Sequence, residues 1–112
     1  MDCLFCKIAS GEIPSEKLYE DEIAVAFKDI NPTAPVHFLV IPKRHIESCA
    51  EINAENSSVA GHCFEVIARL AKELKLEKGF RVVSNTGEQA GQSVPHLHFH
   101  VLANREFGWP AG

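Results

Sequence analysis

Residues His96-Leu97-His98-Phe99-His100-Val101-Leu102 alternate an imidazole with a large apolar side chain at strict two-residue spacing. In an extended strand, successive side chains point to opposite faces, about 6–7 Å apart for residues on the same face. Leu97, Phe99 and Val101 are therefore expected in a core while three of the chain's six histidines share the opposite face. A strand needing only a solvated face usually carries Thr, Lys or Glu there. Imidazole instead titrates near neutrality, attacks electrophiles, moves protons and binds metals. The chemistry of the chain is expected here.

The remaining sequence supplies a scaffold for such a strand. Cys3–Ser10 reads as a short helical turn stopped by Gly11 and by Pro14 beyond it. Leu18–Glu20 and Ile23–Lys28 read as strands of a hairpin around Asp21-Glu22, and 31–35 as a turn-rich connection. His37–Ile41, apolar and bounded by Pro42, suits a central strand. A long helix is expected from about Ala54 to Leu76. Val59, Cys63, Val66, Ile67, Leu70 and Leu74 form its apolar stripe, with Asn53 as cap and Gly79 closing the segment. Glu65, Arg69 and Glu73 would form a solvated ladder, and His62 reads as exposed rather than functional. Phe80–Val83 is a further strand, followed by the polar loop 85–93. Nothing resembles alternating parallel units, so the expected class is α+β: a mostly antiparallel sheet with a helix on one face.

Composition narrows the partners. A net charge of -4 without a run of like charges gives no sign of nucleic-acid binding, and no apolar run is long enough to span a membrane. At 112 residues one domain is expected. The start, Met1-Asp2-Cys3, lacks a leader pattern, so a cytoplasmic setting and reduced thiols are expected. Cys63 reads as core, and Cys49 carries no signal.

Two constellations remain. The loop's Gly87 and Gly91 allow backbone N–H groups to converge on an anion, and Ser93 adds a hydroxyl. The Lys and Ser/Thr of a Walker loop are missing. Cys3 and Cys6 have the spacing of a thiolate clamp, for which His37, His45, His62 and the strand histidines are candidate co-ligands.

The chain resembles the histidine triad family, whose signature of three histidines alternating with apolar residues is matched throughout 96–102. Similar segments run along nearly its whole length. They include Cys3-Leu4-Phe5-Cys6-Lys7-Ile8, Glu12-Ile13-Pro14, Tyr19-Glu20-Asp21, the stretches 26–32 and 34–46, Gly79-Phe80-Arg81 and Gly91-Gln92-Ser93. The ending Gly108-Trp109-Pro110-Ala111-Gly112 resembles the Hint-type branch. The resemblance implies a five-stranded sheet with one long and one short helix, joined into ten strands in a homodimer, with residues 1–112 as the single domain.

It also implies a purine nucleoside phosphoramidase or nucleotidyl hydrolase acting on an AMP-like substrate, with no cofactor needed for catalysis. His98 would be the nucleophile, His100 would donate to a phosphate oxygen, and Ser93 would donate to the phosphate or the leaving amine. Gly91 and Asn85 would complete the cradle, Asp29 would grip the ribose, and Phe5, Phe27 and Ile30 would line the base pocket. His37 would stand behind the nucleophile. Cys3, Cys6, His45 and His96 match the positions of a structural zinc. Two other classes compete: a zinc hydrolase whose strand histidines hold a catalytic metal, and a nucleotide-binding module that does not cleave. Pro95 and Ala103-Asn104-Arg105 depart from the family pattern, which commonly has an aromatic or aliphatic residue at the first position and two glycines and an arginine at the others.

Overall fold

In the computed structural model, which describes residues 3–112, the alternation written into the strands is used on both sides of one sheet. Met1 and Asp2, part of the start expected to lack a leader pattern, lie outside the described residues. The elements run α1 (Leu4–Ser10), β1 (Lys17–Glu20), β2 (Ala24–Lys28), β3 (Val36–Pro42), a 3₁₀ turn (Cys49–Glu51), α2 (Ser57–Glu73), β4 (Phe80–Val83) and β5 (Phe99–Ala103). The sheet order is β1-β2-β3-β5-β4, antiparallel at every pairing. The expected α+β class with a five-stranded antiparallel sheet and two helices is what the chain adopts.

Ala24, Ala26, Phe38, Val40, Phe99 and Val101 pack on one face against Cys63, Val66, Ile67 and Leu70 of α2. Val25, Phe27, Leu39 and Ile41 point to the other face and meet Cys3, Phe5 and Ile8 from α1 and its cap. Only strands buried on both faces tolerate so continuous an apolar run as β3. Cys63 is fully buried, and burial, with the Asp21 charge nearby, pushes its thiol up to about 12. No helix among the described residues is long and apolar enough to cross a membrane.

Several boundaries differ from expectation, each for a local reason. α2 starts at Ser57 rather than near Ala54. The Asn53 carboxamide oxygen accepts from Glu55 N and Asn56 N, and Asn56 Oδ1 accepts from Asn53 N, forming a side-chain turn that competes with a helical one. Asn53 therefore caps a turn ahead of the helix, not the helix itself. At the other end the helix is closed by Lys75, left-handed at φ 57°, rather than by Gly79, whose φ of 116° comes four residues later. Lys75 N donates to Lys72 O and Leu76 N to Ala71 O, the paired bonds of a Schellman ending. Leu74, expected on the apolar stripe, is consequently 40% exposed, and Leu76 is buried in its place.

The histidine stretch is not wholly strand. Pro95 has no N–H, and His96 N donates to Val94 O in a tight turn, so β5 pairing begins only at Phe99. His96 and His98 lie in the extended lead-in, steadied by Leu97 N donating to Ile46 O at 2.6 Å. Pro95 thus sits outside the ladder, as its chemistry requires. Asn104 after β5 adopts φ 67°, a conformation that asparagine tolerates better than most residues where glycine is absent.

His62 is half-buried rather than exposed. Its Nε2 lies 2.6 Å from Asp21 Oδ2, which also accepts from Tyr19 Oη at 2.8 Å, while Asp21 Oδ1 accepts from Ile23 N and Ala24 N. The β1–β2 turn is thereby tied to α2. Desolvation alone would raise the Asp21 carboxyl, but its hydrogen bonds outweigh that and hold it well below the usual carboxylate range. A depressed folded-state pKa gives stability that is present above the unfolded value, about 3.9, and lost as pH falls beneath it. Asp21→Asn is expected to lower stability at pH 7 by on the order of 1 kcal/mol, the group being partly solvated. It should also flatten part of the loss between pH 5 and pH 3. Urea titrations across that range check both effects.

Candidate active site

The second face of the sheet carries the candidate site, because β5 turns its odd-numbered apolar residues toward α2 and leaves the imidazoles opposite. The β3–β5 register sets His100 across from Leu39. α1 roofs this face, and between it, the sheet and the loop after β4 lies a cavity of about 630 Å³. Of the expected substrate residues, Phe5, Phe27, Asp29 and Ile30 line one part of it. Gly91, Ser93, His98 and His100 line another. Leu4, Ile8, Ile13 and Val94 add an apolar lining that no motif announced. Asn85 lies half-buried just after β4 and is not part of this lining. Ser15 also borders the cavity, and its hydroxyl oxygen is buried without a hydrogen-bond partner.

The hydrogen bonds fix which nitrogen of each imidazole carries a proton. His98 Nδ1 is 2.6 Å from the His96 carbonyl oxygen, which can only accept, so Nδ1 holds the proton and Nε2 keeps a free lone pair. The ring is 95% buried with its residue, and the Phe5 ring stands edge-on to it with centroids 5.0 Å apart. His37, behind the cavity, accepts from Thr33 N at Nδ1, so its Nε2 is a donor. That Nε2 lies 2.9 Å from His100 Nδ1 and 3.3 Å from Asp29 Oδ2. His100 therefore accepts at Nδ1 and carries its proton on Nε2. The two neighbouring rings, 5.1 Å apart, end in opposite characters: one a base or nucleophile, the other a donor.

Burial is the largest influence on His100 and lowers its pKa. The His98 and His37 rings lower it further, and the Asp29 carboxylate opposes them. A neutral donor at pH 7 is the result. Asp29 is held in turn by Asn31 N donating to Oδ1.

The loop behaves differently from a simple N–H cradle. Gly91 N donates to Glu88 O, Gln92 N to Gly87 O, and Gly87 N to Gln92 Oε1. Those donors are spent within the loop. What Gly91 supplies is its φ of 87°, which turns the chain so that Ser93 borders the cavity.

Cys3, Cys6, His45 and His96 come together from three distant segments, with one ligand atom of each within 4.8 Å of all the others. Cys3 Sγ and Cys6 Sγ lie 3.3 and 3.5 Å from His96 Nδ1, and Cys6 Sγ lies 3.3 Å from His45 Nδ1. A tetrahedral ion with bonds of about 2.3 Å to sulfur and 2.0 Å to nitrogen needs S···N edges of about 3.5 Å. His96 Nε2–H donates to the Pro42 carbonyl at 2.8 Å, which aims the Nδ1 lone pair at the thiols. Burial and the Cys3 thiol push the Cys6 thiol up to about 11, so a thiolate there needs a cation beside it. The cluster fits a closed metal centre. Asp29, His37 and His100 also converge within 4.8 Å, but the proton on His37 Nε2 occupies the space between the two rings.

Three contacts escaped sequence reading. Thr33 N and the Pro42 carbonyl are backbone groups with no side-chain signature. Ser84, whose hydroxyl donates to the His98 carbonyl, has only its position at the end of an apolar strand to mark it.

The comparisons with known proteins bear on the family and the fold. A family profile described as "Scavenger mRNA decapping enzyme C-term binding" matches residues 2–108. A HIT-like protein of Synechococcus elongatus is 44% identical over 111 residues, covering 99% of this chain and 97% of that one. Protein HitA of Neisseria gonorrhoeae is 46% identical over 101 residues, covering 90% and 94%. Among solved structures, a HIT family hydrolase of Legionella pneumophila superposes with a TM-score of 0.96 at 43% identity, covering 99% of this chain and all of that one. A histidine triad protein of Clostridium difficile gives 0.93 at 49% identity, covering 96% and 95%. The chain belongs to the histidine triad family.

Because the Asp29 charge raises the His100 pKa, Asp29→Asn should move it further below its ordinary 6.5. Titrating the ring C–H signals by NMR checks the direction.

Proposed function

We propose that the chain is a nucleoside phosphoramidase that cleaves purine nucleoside 5′-phosphoramidates through a nucleotidyl intermediate on His98. The observation that carries this reading is the fixed pair of tautomers, a bare Nε2 on His98 beside a protonated Nε2 on His100, at one wall of a cavity of about 630 Å³. That volume is in the range of sites for small-molecule ligands. The apolar side chains of Phe5, Phe27 and Ile30 suit a purine, and the Asp29 carboxylate suits ribose hydroxyls.

His98 Nε2 attacks the α-phosphorus, forming a P–N bond as the substrate's own P–N bond breaks. His100 Nε2–H donates to a nonbridging oxygen as charge develops there. The amine leaves after taking up a proton from solvent, relayed through the Ser93 hydroxyl. Water then attacks phosphorus, the His98 N–P bond breaks, and the nucleoside monophosphate departs. The proton released by that water replaces the one carried off by the amine. No step requires a metal. His37 keeps His100 in its donor tautomer.

The thiol–imidazole cluster is read as a structural zinc site, its four residues tying α1 and the segment after β3 to the His96 lead-in. Zinc there would supply a closed cross-link without an open position. A second copy pairing along β4, an edge strand that carries the exposed Phe80, would join two sheets into ten strands.

The rival reading as a binding module without turnover shares this cavity, so kinetics separate the two. With adenosine 5′-phosphoramidate, His98→Ala should fold and lose at least about 10³-fold in kcat, and acid-quenched wild-type reactions should carry label on one imidazole. A folded His98→Ala variant with wild-type turnover would sink the mechanism. For the metal, elemental analysis should find one zinc per chain in the wild type and none in a Cys3→Ser, Cys6→Ser double variant. The double variant should unfold at lower temperature.

A further inference from the structure

Beyond the groups that touch substrate, the aim of His98 depends on its own backbone, and that backbone has left the sheet. β4 ends at Val83 opposite His100. Continuing that register would set Asn85 opposite His98, but Asn85 lies beyond the end of the ladder. At this break the Ser84 hydroxyl donates to the His98 carbonyl at 2.9 Å. The same hydroxyl oxygen accepts from the Cys49 thiol at 3.3 Å, which leaves its single proton committed to the carbonyl. Ser84 is half-buried and does not line the cavity, so it has no contact with a bound nucleotide to explain it.

We infer that Ser84 is a positioning residue for the nucleophile: its hydroxyl replaces the missing ladder bond and fixes the direction in which His98 Nε2 points. The inference rests on the proposed phosphoramidase reading for its effect on rate, though not for its effect on the ring. Two anchors hold the imidazole itself, the His96 carbonyl on Nδ1 and the edge of Phe5. Both act relative to a main chain that the Ser84 hydroxyl secures at His98. Because about 1 Å of misplacement costs roughly 10²-fold in rate, a drift of a few tenths of an ångström at Nε2 costs about tenfold or less. Ground-state binding, made by other side chains, is untouched.

The test compares wild type, Ser84→Ala, Ser84→Thr and His98→Ala with adenosine 5′-phosphoramidate, alongside AMP affinity and the proton resonance of His98 Nδ1–H. Ser84→Ala should lower kcat about three- to tenfold with KM and AMP affinity changed less than twofold, and should shift the Nδ1–H resonance. Ser84→Thr, which restores the hydroxyl, should recover most of the rate and the resonance. Should Ser84→Ala fail to fold, Ser84→Cys, with a weak donor of similar size, should turn over more slowly than wild type with a shifted Nδ1–H resonance, and wild-type values for both would overturn the inference. The inference is overturned if folded Ser84→Ala keeps wild-type kcat while His98→Ala is inactive. It is equally overturned if Ser84→Thr stays as slow as Ser84→Ala. If wild type itself does not turn over, the phosphoramidase reading fails, and an unmoved Nδ1–H resonance in Ser84→Ala separately defeats the positioning role.

Discussion

A single hydrogen bond, 2.6 Å from His98 Nδ1 to the carbonyl of His96, decides what the site can do. A carbonyl accepts and never donates, so this contact leaves the other nitrogen bare at any pH where the ring is neutral. The bond spans only two residues, and it exists because Pro95 and the His96 turn keep this stretch out of the ladder. Had the strand begun at His96, that carbonyl would have been available to a neighbouring strand instead.

The same logic of assigned protons runs through the neighbouring imidazoles. Thr33 N–H sets His37, His37 sets His100, and the Pro42 carbonyl sets His96. Three histidines at two-residue spacing thus end with three different faces: lone pair toward the thiols, lone pair beside the cavity, and N–H beside the cavity. His96 is the junction. Its ring belongs to the Cys3, Cys6 and His45 cluster while its carbonyl holds the His98 ring, so whatever fixes that cluster also fixes the base of the candidate site.

Packing explains why these placements persist. The sheet is buried on one face by α2, where β5 contributes Phe99, Val101 and Ala103, and on the other by α1. A shift in its register by one residue would exchange imidazoles for Phe99 and Val101 against α2, a change that both the apolar core and the polar network oppose. The tie from Asp21 to His62 braces the far side of the sheet in a comparable way, joining the hairpin to α2.

Much of this was legible in the linear chain. The period-two pattern of 96–102 put its imidazoles on one face and its apolar residues on the other, the three- and four-residue steps of 59–70 specified the helix, and all but Asn85 of the residues expected to bind substrate line the cavity. Those features are local: they depend on side-chain type and spacing, which backbone geometry converts directly into faces. Folding alone settled the start of β5, the Lys75 ending of α2, the half-buried state of His62, the spent donors of the glycine loop and the grip of Ser84 on His98. Each turns on which acceptor lies within about 3 Å once distant segments meet. Main-chain carbonyls and amides, identical in every residue, supply many of those partners, so no reading of side chains could name them beforehand.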